Sequence, residues 1–235
     1  MSKNLYRYFN VYYWLRKFSF SRIFQILFYF NNNIKRKIIF YLIYKSSHWR
    51  DYNKIKEDES ISGLGSDIKV TKKLIVELEN FIKDNKINSL LDIACGDFLW
   101  MNKLINKNKN LDYLGLEIVE DIVNKNNLLY SNSKIKFKCA DVLKNEIPKN
   151  YDLILIRDFF IHIKNQDIIN MIKKIKLTNC KYLAINNFPH ISQNIEVKGY
   201  GHHRLINIEI DPFNLTNAYK VIEDHDRKLN IYKIN

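Results

Sequence analysis

The residues best placed to do chemistry in this chain sit at the ends of apolar runs. The first group is Asp92, Ala94, Cys95, Gly96, Asp97 and Phe98, where an apolar run over residues 89–94 meets a turn of small residues. A helical spacing follows at once, with Phe98, Met101, Leu104 and Ile105 on one face. A small-residue turn between strand and helix lets a ligand approach the backbone and the positive helix N-terminus. Glu117 follows a short run over 113–116 and lies 21 positions after Gly96. That is close to the ~20-residue spacing at which an acidic residue takes a ribose hydroxyl pair, and a carboxylate suits the task because it accepts two hydrogen bonds in a fixed fork. Asp141 follows the alternating stretch 135–139, and Arg157-Asp158 follows 151–156, with His162 four positions beyond Asp158. A further polar group, His202-His203-Arg204, lies in a long connection over 186–217 that shows no helical pattern. Loops of that length in a compact domain are usually functional, and Gly199 and Gly201 give this one the freedom of a lid.

The elements that must position these groups alternate. Strand-like runs over 89–94, 113–116, 135–139, 151–156 and 181–185 are separated by helical spacings, the pattern of a parallel sheet covered on both faces. A helix over 67–83 turns Leu74, Ile75, Leu78, Phe81 and Ile82 to one side, with Ser66 or Asp67 as its cap. Another over 166–175 carries Ile168, Ile169, Ile172 and Ile175. In such a sheet all strand C-termini share one edge, so the acidic groups at 117, 141 and 158 converge on one crevice with the Gly96 turn. The chain ends in a hairpin, 219–222 and 229–234, around the polar turn EDHDR.

These motifs resemble the class I S-adenosylmethionine (SAM) methyltransferases, whose first motif is an acidic residue followed by a small-x-Gly turn. Here Asp92, Ala94 and Gly96 occupy those places, with Phe98 where a third glycine usually stands. The similarity extends from about Gly63 to the end. It is nearest to a bacterial-type branch with the pattern S-G-x-G-S, L-D-x-x-C-G-D-F-x-W-M, R-D-x-x-x-H and N-x-P-F-N-L, matched by 62–66, 91–101, 157–162 and 210–215. The last match lacks its leading Asn in register, although Asn207 is near. The resemblance implies an α/β fold: a doubly wound, seven-stranded, mostly parallel sheet with a reversed last strand. It implies SAM as cofactor, surrounded by Asp92, Ala94, Cys95, Gly96, Asp97, Phe98, Glu117, Ile118, Asp141, Val142 and Arg157, with Asp141 on the adenine amine and the following N–H on the ring. Phe98 is expected to wall the site. A dinucleotide-dependent dehydrogenase is disfavoured, because the turn lacks the G-x-G-x-x-G that admits a pyrophosphate.

Some members of this branch sit among surface-polysaccharide genes, so the leading acceptor is a hydroxyl on a sugar or lipid-linked glycan. A hydroxyl acceptor needs a base. His162 is the expected catalytic group, with an ordinary pKa of about 6.5 and with Asp158 orienting it. His202, His203 and Arg204 are expected to meet the acceptor. Two rivals stay open: an RNA methyltransferase, and a SAM-binding scaffold without catalysis. No metal is expected, since the cysteines at 95, 139 and 180 form no C-x-x-C or Cys/His cluster.

Composition divides the chain of 235 residues unevenly. Residues 1–50 carry ten Lys or Arg, no Asp or Glu, and 16 of the 32 aromatics, leaving only +3 of the net +13 for the rest. We read residues 1–61 as a basic, aromatic-rich helical extension and 62–235 as the methyltransferase domain, with cofactor binding separable from the extension. The apolar runs 26–30 and 38–44 are far shorter than the ~20 residues of a spanning helix, and no cleavage-site pattern is visible. Three readings of the extension stand, in order: a cap or dimer contact, an anionic membrane surface, and a nucleic-acid arm. The expected location is cytoplasmic, peripheral at the inner membrane face. Oligomeric state is not legible.

Overall fold

The computed structural model describes residues 32–46, 48–50 and 55–234. The expectations for residues 1–31 lie outside these. Helix α1 (Asn32–Lys45) precedes a short 3-10 turn (Leu64–Ser66) and α2 (Ile68–Asp84). There follow β1 (Ser89–Ile93), α3 (Leu99–Lys107), β2 (Asp112–Glu117), α4 (Glu120–Tyr130), β3 (Ile135–Cys139) and β4 (Leu153–Ile156). A 3-10 turn (Phe160–His162), α5 (Asn165–Lys176), β5 (Tyr182–Asn187), β6 (Lys220–Asp224) and β7 (Arg227–Lys233) complete the described chain.

The seven strands run in the order β3-β2-β1-β4-β5-β7-β6. Strands β1 to β5 are mutually parallel, and β7 is antiparallel to both β5 and β6. The expected mostly parallel sheet with one reversed strand is therefore present. Central strands read as continuous apolar runs because both faces are covered: β4, LILI, is buried throughout. Alternate residues feed two cores. Leu91, Ile93, Ile154 and Ile156 pack with Ile39, Phe40 and Ile43 of α1 and Ile168 and Met171 of α5. Leu90, Leu153 and Leu155 pack on the other side with Leu74 and Leu78 of α2 and Met101 and Leu104 of α3. The strand order reverses between β1 and β4, where ligands of open α/β sheets bind, beyond the strand C-termini.

Two local expectations differ. Asp67 precedes α2 but makes no capping bond; its carboxylate accepts from Ser60 N–H at 2.9 Å and from Arg50 at 2.7 Å. The boundary drawn at residue 61 is not a boundary in packing, because α1 lies within one of the two cores. Among the described residues no helix is long and apolar enough to cross a membrane.

Candidate active site

A cleft, open to solvent at its mouth, lies at the strand C-termini. Asp92, Ala94, Cys95, Gly96, Glu117, Ile118, Asp141, Val142, Arg157, Asp158 and His162 all line it. Four segments of the chain, following β1, β2, β3 and β4, thus meet where the parallel topology brings their strand ends together.

The turn after β1 explains its own composition. Ala94, Gly96 and Phe98 have φ of 61°, 58° and 62°, all left-handed. These are the three places where the motif ordinarily has glycine, and a side chain there costs roughly 1 kcal/mol or more per residue. Asn126 fixes the turn by donating to Gly96 O at 2.8 Å. The left-handed backbone at Phe98 turns its ring away from the cleft. It packs against Tyr113, Tyr130 and Phe137 at centroid distances of 4.9, 5.2 and 4.9 Å. Phe98 therefore belongs to the core and does not wall the site. Asp97 also turns away: its carboxylate accepts from Ser60 Oγ at 2.9 Å and Ile61 N–H at 2.8 Å, pinning the preceding loop.

Glu117 is 5% exposed. Its carboxylate accepts from the N–H groups of Ile118 (2.8 Å), Val119 (3.1 Å) and Gly96 (3.2 Å). Burial pushes its pKa up, opposed by these backbone bonds. Asp92 accepts from Tyr113 Oη at 2.8 Å, and burial pushes its pKa up to about 7. Asp141 meets a residue that the sequence did not bring to it. Arg36 of α1 donates to Asp141 Oδ2 from Nε at 3.1 Å and from Nη2 at 2.7 Å.

Arg36, Phe40 and Tyr44 recur every four residues on one face of α1, and all three line the cleft. Tyr44 Oη hydrogen-bonds Ser62 Oγ at 3.1 Å, and Ser62 Oγ accepts Asp97 N–H at 3.1 Å. Helix α1 thus crosses the mouth from the end of β3 to the turn after β1. Trp49, Ser62, Ser66, Trp100, Leu143 and Phe159 also line the cleft and were not among the expected site residues. Ser62 and Ser66 could have been found, since they bound the S-G-x-G-S motif. The α1 and Trp49 side chains had only the composition break as a signal.

His162 lies among aromatics, its ring 5.3 Å from Trp49 and 6.4 Å from Phe40. Its Nδ1 is 3.0 Å from the carbonyl of His202. A carbonyl only accepts, so Nδ1 carries the proton and Nε2 keeps its lone pair. Burial pushes the ring's pKa down to about 4, not the ordinary histidine value that we expected. Asp158 does not orient this ring. It pairs with Arg227 at 2.9 Å and Arg157 at 3.3 Å. Arg157 lines the cleft, but its guanidinium is taken up by Asp224 (2.8 and 3.0 Å) and Gly65 O (2.8 Å), over the Trp100 ring.

The loop residues also depart from expectation. His202 and His203 are exposed and do not line the cleft. Arg204 is buried, and donates to Phe160 O at 2.7 Å and Ile195 O at 3.2 Å. It anchors the loop instead of facing an acceptor. What the loop contributes to His162 is the backbone carbonyl of His202.

No protein-family model matches this chain. It is 32% identical over 90 residues to malonyl-[acyl-carrier protein] O-methyltransferase 2 of Ilyobacter polytropus, covering 37% of this chain and 34% of that protein. Over 112 residues it is 29% identical to phosphoethanolamine N-methyltransferase of Plasmodium falciparum, covering 46% and 39%. The match thus spans little more than a third of the length of these curated relatives. Among solved structures, magnesium protoporphyrin IX methyltransferase from Synechocystis PCC 6803 with bound SAM is similar at TM-score 0.56 and 14% identity, covering 83% of this chain and 94% of that one. PigF with SAH is similar at TM-score 0.55 and 16% identity, covering 70% and 56%. These likenesses, with the strand order, establish the class I methyltransferase fold.

Proposed function

We propose that this chain is a SAM-dependent methyltransferase acting on a hydroxyl of a ring-shaped acceptor, most simply a sugar or lipid-linked glycan. The observation that carries this reading is one cleft holding two kinds of chemistry. On its β1–β3 side stand a left-handed turn, Glu117 and Asp141; on its β4 side stands an imidazole whose Nε2 is unprotonated. The first set fits a nucleoside cofactor by its donor chemistry: two carboxylates at adjacent strand ends beside a turn of small residues. The identity to two methyltransferases and the fold support the same cofactor.

SAM supplies a methyl group on a cationic sulfur. The protein contributes position and proton transfer. Glu117 would hold the ribose hydroxyls and Asp141 the adenine amine, beside the turn of Ala94 to Gly96 that lines the same cleft. Phe40, Trp49 and Phe159 exclude water and offer flat apolar faces to the acceptor ring. His162 Nε2 takes the proton of the acceptor hydroxyl as the methyl transfers.

Calorimetry tests the cofactor assignment. Glu117→Ala weakens SAM binding by about 1.5–3 kcal/mol, the range for hydrogen bonds to a charged group. Glu117→Gln keeps the shape and serves as the control for the turn. Wild-type affinity in both variants removes Glu117 from the site.

Residues 1–50, basic and aromatic without an acidic residue, fit an anionic membrane surface, where a glycolipid acceptor is found. The full chain sediments with phosphatidylserine-containing vesicles at low salt and is released at about 0.5 M salt, where screening is short-ranged. No sedimentation at low salt ends the membrane proposal.

A further inference from the structure

Helix α1 joins the cleft to the long loop through one side chain. Arg36 holds Asp141 through Nε and Nη2, while its Nη1 donates to Tyr200 Oη at 3.3 Å. Its guanidinium also lies 5.2 Å from the centre of the Tyr200 ring. Tyr200 Oη in turn donates to Asp167 Oδ2 on α5 at 3.0 Å. Tyr200 is followed by Gly201, at φ +81°, where a Cβ would lie 2.5 Å from Ile43 Cδ1 and 2.9 Å from Ile39 Cγ2 of α1. The left-handed φ and this close approach both favour glycine where the loop meets the helix. The next residue, His202, supplies the carbonyl that fixes the His162 tautomer. A path runs from Asp141 through Arg36 to Tyr200, along the backbone to His202, and from its carbonyl to His162.

We propose that Arg36 and Tyr200 are positioning residues that couple cofactor binding to the setting of the base: what orders Asp141 also orders the loop that holds His162. This rests on the assignment of Asp141 to the cofactor. Arg36 is 5% exposed, so a cofactor that displaced it from Asp141 would leave a buried cation without its partner, which is costly. The Asp141 carboxylate accepts from Arg36 Nε and Nη2 and from Leu143 N–H at 3.2 Å; with room for about four hydrogen bonds, it keeps Arg36 while it accepts the adenine amine. Cofactor binding then tightens Arg36, and through it Tyr200 and the backbone at 201–202.

The coupling is read without knowing the acceptor. Hydrogen exchange at residues 199–204 is compared with and without SAM in the full-length chain, alongside calorimetric affinity. In the wild type, SAM slows exchange in this loop by roughly tenfold or more. Tyr200→Phe keeps the ring over Arg36 and the Arg36–Asp141 pair, so SAM affinity stays within about threefold while the loop protection is lost. Arg36→Gln loses both. A side chain that merely supports the fold would lower affinity and protection together in Tyr200→Phe. That result, or a wild-type loop whose exchange ignores bound SAM, overturns the coupling and leaves the cofactor assignment standing. Failure of the wild type to bind SAM overturns the assignment and the coupling with it.

Discussion

Replacing His162 with alanine lowers the rate of methyl transfer by roughly 10²–10⁴-fold, the usual contribution of a general base, and leaves SAM affinity nearly unchanged. The reason is geometric. Nδ1 is spent on the carbonyl of His202, so Nε2 is the ring's proton acceptor. The ring lines the cleft beside Trp49 and Phe40, on the β4 side, away from Glu117 and Asp141. Burial among these aromatics holds its pKa near 4, so the imidazole is neutral, and competent as a base, at every pH well above 4. The rate should therefore hold at mildly acid pH as far as His162 is concerned, and fall only as pH approaches about 4, when the ring protonates. An NMR titration of the His162 ring proton checks this directly. Single-turnover transfer with the true acceptor checks the rate. An unchanged rate in His162→Ala removes this residue from the mechanism.

Deleting residues 1–50 lowers SAM affinity by about a hundredfold or more, the size of one broken buried ion pair. The composition break had pointed the other way, to an extension separable from cofactor binding. The packing of α1 is the reason for expecting this loss. Removing α1 takes Arg36 from Asp141, and Phe40 and Tyr44 from the wall of the cleft. It also strips Ile39, Phe40, Ile43 and Tyr44 from a core they enter at 2–6% exposure. Each such apolar side chain contributes about 1.5–3 kcal/mol when buried. Arg50, which pairs with Glu59 at 2.9 Å and Asp67 at 2.7 Å, is lost as well. Calorimetry on the truncated chain measures the affinity, and thermal melting shows how much of the loss is loss of fold. Wild-type SAM affinity in the truncated chain would refute the role given to α1.

The features legible in the sequence are those set by local pattern. The run 135–139 is a strand over the same residues, and Glu117 does end β2, because burial on two faces imposes apolar runs and the turn after each run imposes small or polar residues. The mostly parallel order followed from the alternation of strands and helices, and the convergence of residues 92–96, 117, 141 and 158 followed from that order. Tertiary structure alone decided which way side chains point and whom they meet. Phe98 sits in the motif, yet a left-handed backbone aims its ring into the core. Asp158 is four residues from His162, yet Arg227, 69 residues away, takes its carboxylate. His202 serves through its carbonyl, which every residue has, so no side-chain pattern could mark it. The basic, aromatic composition of the first fifty residues said that these side chains need partners, but not which. Arg36 finds Asp141 across 105 positions, because α1 packs over the sheet edge where the strand ends gather. That packing also half-buries His162 among aromatic rings and so lowers its pKa. Proximity of this kind is a property of three-dimensional packing and leaves no mark in the spacing of residues along the chain.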